Sequence, residues 1–116
     1  MQIREQRTGD VTIISIDDHL DTAAAPVLEQ KLTELIDGNH RRIVIDCDAL
    51  QYVNSAGLKV FLLTAKRLES LSGQFVLAAL GPNVSTVFKM IGFDKIIKTA
   101  PSSEEALRVL GVPTQA

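Results

Sequence analysis

Tryptophan is absent from this chain, tyrosine occurs once (Tyr52) and cysteine once (Cys47). A single cysteine excludes an intramolecular disulfide and agrees with a reducing compartment. Cys47 closes the apolar run that begins Ile43-Val44-Ile45, so a small buried hydrophobe is expected there rather than a reactive thiol. Aromatic residues make up only 4% of the chain, so the core has to be built mainly from Leu, Ile, Val and Ala.

No apolar run approaches the roughly 20 residues of a membrane helix. Met1-Gln2-Ile3-Arg4-Glu5 lacks the basic-then-apolar pattern of a secretory signal. A soluble cytoplasmic protein with no membrane partner is therefore expected. Neither sign of charge dominates: 12 basic and 14 acidic residues leave a net charge of −2. A strongly basic nucleic-acid-binding face is not indicated. The one basic cluster, His40-Arg41-Arg42, reads as the solvated entrance to a strand.

What is present suits one domain: 116 residues, 46% of them hydrophobic, suffice for a single core. Ile3 to Arg7 and the β-branched run Val11 to Ile16 flank a Gly9-Asp10 turn and predict a hairpin. The polar segment Asp17 to Asp21 reads as a loop. Asp21 or Thr22 can cap a helix carrying Pro26 in its first turn, Leu28, Leu32, Leu35 and Ile36 on one face, and Gly38 at its end. Ile43-Val44-Ile45 reads as a central strand covered on both faces.

After Tyr52-Val53 comes the turn Asn54-Ser55-Ala56-Gly57. Leu58, Phe61, Leu62, Ala65 and Leu68 follow at helical spacing, and Ser72-Gly73 ends that helix. Phe75 to Leu80 is another buried strand. Gly81-Pro82-Asn83 opens a helix with Val84, Val87, Phe88 and Ile91 on one face, and Gly92 ends it. Ile96-Ile97 reads as a short strand. Ser102 and Glu105 resemble a capping box for a last helix with Leu107 and Leu110 inward, stopped by Gly111-Val112-Pro113. The order β-β-α-β-α-β-α-β-α predicts an α/β fold: a mixed, mostly parallel sheet covered by about four helices. Residues 113–116 read as a loose tail.

Three chemistries can be weighed. A nucleophilic Ser55 needs a base, and only His19 and His40 exist; the glycine of a nucleophile elbow is replaced by Val53. Asp17, Asp18, His19 and Asp21 share one segment but lack calcium-loop or zinc spacing. Neither nucleotide-binding glycine motif is present, and helix initiation explains Gly81-Pro82-Asn83. No catalytic residue, metal site or cofactor is therefore assigned. Asn54-Ser55-Ala56-Gly57 places a hydroxyl at a helix start among small residues. Ser55 or Asn54 can cap that helix. Alternatively Ser55 is a modification point: a phosphate there meets free N–H groups and adds about −1.5 to −2 charges to a nearly neutral surface. Ala56 and Gly57 would let a partner's backbone approach.

The run Ile45-Asp46-Cys47-Asp48-Ala49-Leu50-Gln51-Tyr52-Val53-Asn54-Ser55-Ala56-Gly57-Leu58 resembles the signature of the STAS domain, named for sulfate transporters and anti-sigma-factor antagonists. Leu20-Asp21-Thr22-Ala23 resembles the family's Gly-x-Leu-Asp loop. The resemblance extends over residues 1–112 and implies a bacterial anti-sigma-factor antagonist. It implies binding to an anti-sigma factor with serine-kinase activity, release on phosphorylation at Ser55, and restoration by a phosphatase. It also implies a partner surface of Asp21, Thr22, Asn54, Ser55, Ala56, Gly57 and Leu58, with the loop from His19 to Thr22 beside it, and a protein that is not an enzyme. Two positions depart from the pattern: Asn54 stands where Asp is frequent, and Asp18 where glycine is usual. The alternatives are an unswitched adaptor in a signalling complex and a small serine hydrolase.

Overall fold

Alternation along the central strands sets the layers. In a computed structural model that describes residues 1–112, the sheet contains β1 (Ile3–Thr8), β2 (Val11–Leu20), β3 (Arg42–Val53), β4 (Gln74–Ala78) and β5 (Lys98–Ala100), in that spatial order. β1 pairs antiparallel with β2, and all other neighbours are parallel. The helices are α1 (Ala25–Asp37), α2 (Ser55–Ser70), α3 (Pro82–Met90) and α4 (Ser103–Val109). The predicted mixed sheet with four helices is what forms. The tail at 113–116 lies outside the described residues.

Ile14, Ile43, Ile45 and Leu77 share one buried cluster with Leu28 and Leu32 of α1, Phe61 and Leu68 of α2, and Phe88 of α3. The intervening Ile13, Val44 and Val76 pack on the other face against Ala106, Leu107 and Leu110 at α4. Each such aliphatic side chain removed from water contributes roughly 1.5–3 kcal/mol before entropy is counted. Phe61 lies with ring centroids 6.5 Å from Phe75 and 6.3 Å from Phe88, joining α2 to β4 and α3.

Several boundaries differ from the sequence reading. The polar segment Asp17 to Leu20 is strand, not loop, and pairs with β3 as far as Leu20 opposite Val53. The 12 residues of β3 run beside the 10 of β2, with register shifts between Ser15 and Asp17 and between Asp18 and His19. These shifts are β-bulges, which break the alternation that a sequence pattern relies on. Asp18 has φ 62, the left-handed region glycine favours. At the end of α1 the left-handed residue is Asn39 (φ 73), not Gly38 (φ −82). The last strand is Lys98–Ala100, because Phe93–Lys95 forms a 3₁₀ turn that places Ile97 in the core before pairing begins. On α3, Val84 and Phe88 are buried, while Val87 and Ile91 are exposed.

Candidate functional site at the start of α2

Parallel pairing brings the ends of β2 and β3 side by side, so the segment leading into α1 lies against the start of α2. The Asn54 N–H donates to the Leu20 carbonyl at 3.1 Å, which closes the ladder at this end. Asn54 then caps α2: its Oδ1 accepts from the N–H groups of Ala56 at 3.0 Å and Gly57 at 3.2 Å. With the oxygen so engaged, Nδ2 faces away and donates to the Thr22 hydroxyl at 3.0 Å. Asp21 organises the opposite side: its Oδ1 accepts from Ala23 and Ala24 at 3.1 and 3.0 Å, and its carbonyl from Ala25 at 2.8 Å. Asp21 therefore caps the turn leading into α1, while the helix itself starts at Ala25.

Asn54, not Ser55, fills the capping role. Ser55 is the first residue of α2 and is exposed. Two of the N–H groups that a phosphate at this terminus was expected to meet, those of Ala56 and Gly57, are already bound by Asn54.

Gly57 has a different place from the one its sequence context suggests. It is buried, and a Cβ there would lie 2.7 Å from Leu20 Cγ and Val53 Cγ2 and 2.8 Å from the Leu20 carbonyl oxygen. Its missing side chain lets α2 sit down on β2 and β3 rather than admitting a partner's backbone. Ala56 and Leu58 are half-buried against the core. The outward surface is thus Thr22, Ser55 and Lys59, with Pro26 and Glu29 of α1 beside them. Thr22, Pro26, Glu29, Ala56 and Lys59 line an open groove of about 250 Å³ between α1 and α2. Sequence reasoning missed Pro26, Glu29 and Lys59. Their signal was available in the spacing: Pro26 and Glu29 stand four and seven positions beyond Thr22, and Lys59 four beyond Ser55, on the outward stripes of two helices.

The histidines serve other contacts. The His40 ring is 3.1 Å from Thr12 Oγ1 and 3.4 Å from an Arg7 guanidinium nitrogen. It precedes β3, whereas Ser55 follows it, so the length of that strand lies between them and His40 is far outside hydrogen-bond reach of Ser55. His19 Nδ1 lies 3.3 Å from the Asp18 carboxylate, and its ring meets Tyr52 edge-on at 5.7 Å. Arg41 and Arg42 are half-buried rather than freely solvated. Arg41 donates to the Ile36 carbonyl, and Arg42 bonds Asp10 and Gln74.

Cys47 is buried, and burial pushes its thiol far above the usual range. Among the described residues no three His, Cys, Asp or Glu side chains converge on a possible metal position. Gly81 precedes α3 without a side-chain cap, and Pro82 lacks the N–H that a phosphate would use.

The comparisons with known proteins agree with this architecture. The sequence profile of the STAS domain matches residues 2–106. The candidate anti-sigma factor antagonist BtrV of Bordetella bronchiseptica is 37% identical over 106 residues, 91% of each chain. The anti-sigma-F factor antagonist RsfB of Mycobacterium tuberculosis is 28% identical over 97 residues, 84% of this chain and 79% of that one. Among solved structures, the anti-sigma factor antagonist SpoIIAA in its unphosphorylated form superposes with a TM-score of 0.77 at 21% identity, over 96% of this chain and all of that one. Its phosphorylated form, described as a Bacillus cell fate determinant, gives 0.75 over 94% and 99%. Profile, relatives and fold agree over nearly the whole described chain: it belongs to the STAS domain family.

Proposed function

We propose that this chain is an anti-sigma-factor antagonist that binds a cognate anti-sigma factor through the surface around Ser55 and is released when that serine is phosphorylated. The observation that carries the proposal is the division of labour at the start of α2. Asn54 supplies the cap, which leaves the exposed Ser55 hydroxyl with no part in it. A phosphate on Ser55 adds about −1.5 to −2 charges without breaking a structural hydrogen bond of the cap. The partner in this reading is an anti-sigma factor that is itself a serine kinase, with a phosphatase to reverse the modification.

The names of BtrV and RsfB support the antagonist role, and the SpoIIAA structures support a fold that persists with and without phosphate. The reading places the protein in the cytoplasm as a binding module without cofactor or catalytic group. Among the described residues no helix is long and apolar enough to cross a membrane.

One observation favours an unswitched adaptor as the second reading. Asn54 already occupies the Ala56 and Gly57 N–H groups, so a phosphate gains less at this helix terminus than an uncapped helix would offer. Mass spectrometry separates the two. Incubation with the partner kinase and ATP is expected to give a Ser55 phosphopeptide. A stable complex formed with no modification of Ser55 would favour the adaptor.

A further inference from the structure

Among the described residues, β1 and β5 are the strands with a single neighbour, so each presents a row of backbone groups that the sheet does not pair. β5 is three residues long, with the 3₁₀ turn before it and α4 after it. β1 is six residues long and pairs with β2 over its whole length without a register shift. It contains no proline, and its four central residues, Arg4 to Arg7, are exposed. It is therefore the open edge of this sheet.

The hairpin decides which backbone groups face outward. Gly9-Asp10 is a two-residue loop with Gly9 at φ 61, closed by Thr8 opposite Val11. The closing pair of such a loop exchanges hydrogen bonds, and bonded pairs recur at every second residue. Thr8, Gln6 and Arg4 thus turn their N–H and C=O groups towards β2. Gln2 continues the series: its N–H donates to the Asp17 carboxylate of β2 at 2.7 Å. Ile3, Glu5 and Arg7 accordingly turn theirs away from the sheet. The side chains of these three share the α1 face, where Ile3 packs on the core and Glu5 bonds Lys31.

We infer that β1 pairs antiparallel with β1 of a second copy, about a two-fold axis at Gln6. Glu5 of each copy then lies opposite Arg7 of the other. These are residues whose backbone groups face outward, so each of the two pairs exchanges two backbone hydrogen bonds. Charge commits the edge to a second copy. An axis perpendicular to the sheet sets odd-numbered residues opposite odd ones, so it passes through a single residue. At Arg4, Glu5 or Arg7 the axis would bring a charged residue against its own copy, which is unfavourable. At Ile3 or Thr8 it would leave most of the strand unpaired. Gln6 puts a neutral residue on the axis and opposite charges on both sides of it. The Glu5 carboxylate bonds Lys31 through Oε1, which leaves its second oxygen for the arginine.

The joined sheet has ten strands, with both copies of α1 on one face. Its symmetry closes the contact, so association stops at two copies. A six-residue edge buries little area, so the dimer is weak. Antiparallel pairing sends the two Ser55 positions to opposite ends of the joined sheet, away from the seam, and leaves both uncovered.

Sedimentation velocity with the full chain tests the contact. The weight-average sedimentation coefficient is expected to rise with concentration towards about 1 mM without passing that of a dimer. It should rise less in 1 M NaCl, where screening acts within about 3 Å. Glu5→Arg and Arg7→Glu each set like charges across the seam, and each alone is expected to dimerise about tenfold more weakly. Mixed in equal amounts they restore both opposite pairs, so a heterodimer of wild-type affinity is expected. The double variant restores the pairs within one sequence and is expected to dimerise as wild type does. Circular dichroism establishes that each chain is folded. Should a reversal unfold, Glu5→Gln or Arg7→Gln replaces it, with a smaller loss of affinity and a weaker salt dependence.

A wild-type chain that stays monomeric to about 1 mM would overturn the inference. So would growth beyond a dimer, which would mean that β1 joins β5 of the next copy. Charge reversals that dimerise as wild type does, or a mixture no better than its components, would overturn it as well.

Discussion

The Asn54 side chain bridges two helices: its oxygen caps α2 at Ala56 and Gly57, and its amide donates to Thr22 ahead of α1 at 3.0 Å. This one residue fixes the spacing between the two halves of the proposed docking surface. Removal of the cap in Asn54→Ala is expected to destabilise the domain by about 1 kcal/mol. Asn54→Asp keeps the capping oxygen, lets the Thr22 hydroxyl donate instead, and places a negative charge at a helix N-terminus, favourable by about 0.3–1 kcal/mol. Urea denaturation should therefore rank Asp at or above Asn, and both above Ala. Asp at 54 falling to the level of Ala would contradict a capping role for this side chain.

Gly57 sits in the first turn of α2 with its missing side chain facing Leu20 and Val53. Alanine has the higher helix propensity, yet Gly57→Ala is expected to destabilise by about 1–3 kcal/mol, because its methyl group has to displace β2 or lift the helix. Ser55→Ala, two residues away and outward, should leave the denaturation midpoint unchanged. The contrast separates a packing glycine from a surface one.

Asp18 holds φ 62 where the family's pattern has glycine. Asp18→Gly relieves about 1 kcal/mol of left-handed strain but loosens the unfolded chain by a similar amount, so its stability should stay within about 0.5 kcal/mol of wild type. Asp18→Val cannot accept that backbone and is expected to lose about 1–3 kcal/mol. Equal stability of Val and Gly at this position would mean that β2 is not bulged here.

These three positions also mark how far the sequence could be read. Apolar spacing placed the four helices and the first four strands in order, because Ile14, Ile43, Ile45, Phe61 and Leu77 are buried and follow regular periods; the last strand, expected at Ile96-Ile97, lies at Lys98–Ala100 behind a 3₁₀ turn. The end of β2 was illegible, since Asp17-Asp18-His19 is polar and two bulges break its alternation. Ser55 was legible as a helix start from its small neighbours. Which of Asn54 and Ser55 capped the helix was not, because both residue types cap equally well until the geometry distinguishes them. Gly57 looked like a surface glycine for the same reason: only the contact with Leu20 turns it inward. Lys59, Pro26 and Glu29 gave no motif, as their role comes from two helices meeting across 30 residues of chain.

Away from the site, the Lys31 ammonium bonded to Glu5 holds that carboxyl below its ordinary range. A carboxyl with a lowered folded-state pKa adds stability above its unfolded value, and that stability is lost as pH falls through the lowered one. Glu5→Gln should therefore be less stable than wild type near neutrality, by no more than about 1 kcal/mol for a pair this exposed. The two chains should converge in acid. Urea midpoints measured from pH 2 to 7 check this, and a difference that grows towards low pH would reverse the assigned sign.

The affinity of Ser55→Asp for an anti-sigma factor captured with the wild-type chain from its source cell would be the most direct test of the proposed phosphoserine switch at the start of α2. Titration calorimetry with wild type, Ser55→Ala and Ser55→Asp is expected to give similar binding for the first two and at least tenfold weaker binding for the third, with all three equally stable. Undiminished affinity in Ser55→Asp, with the fold intact, would contradict the account.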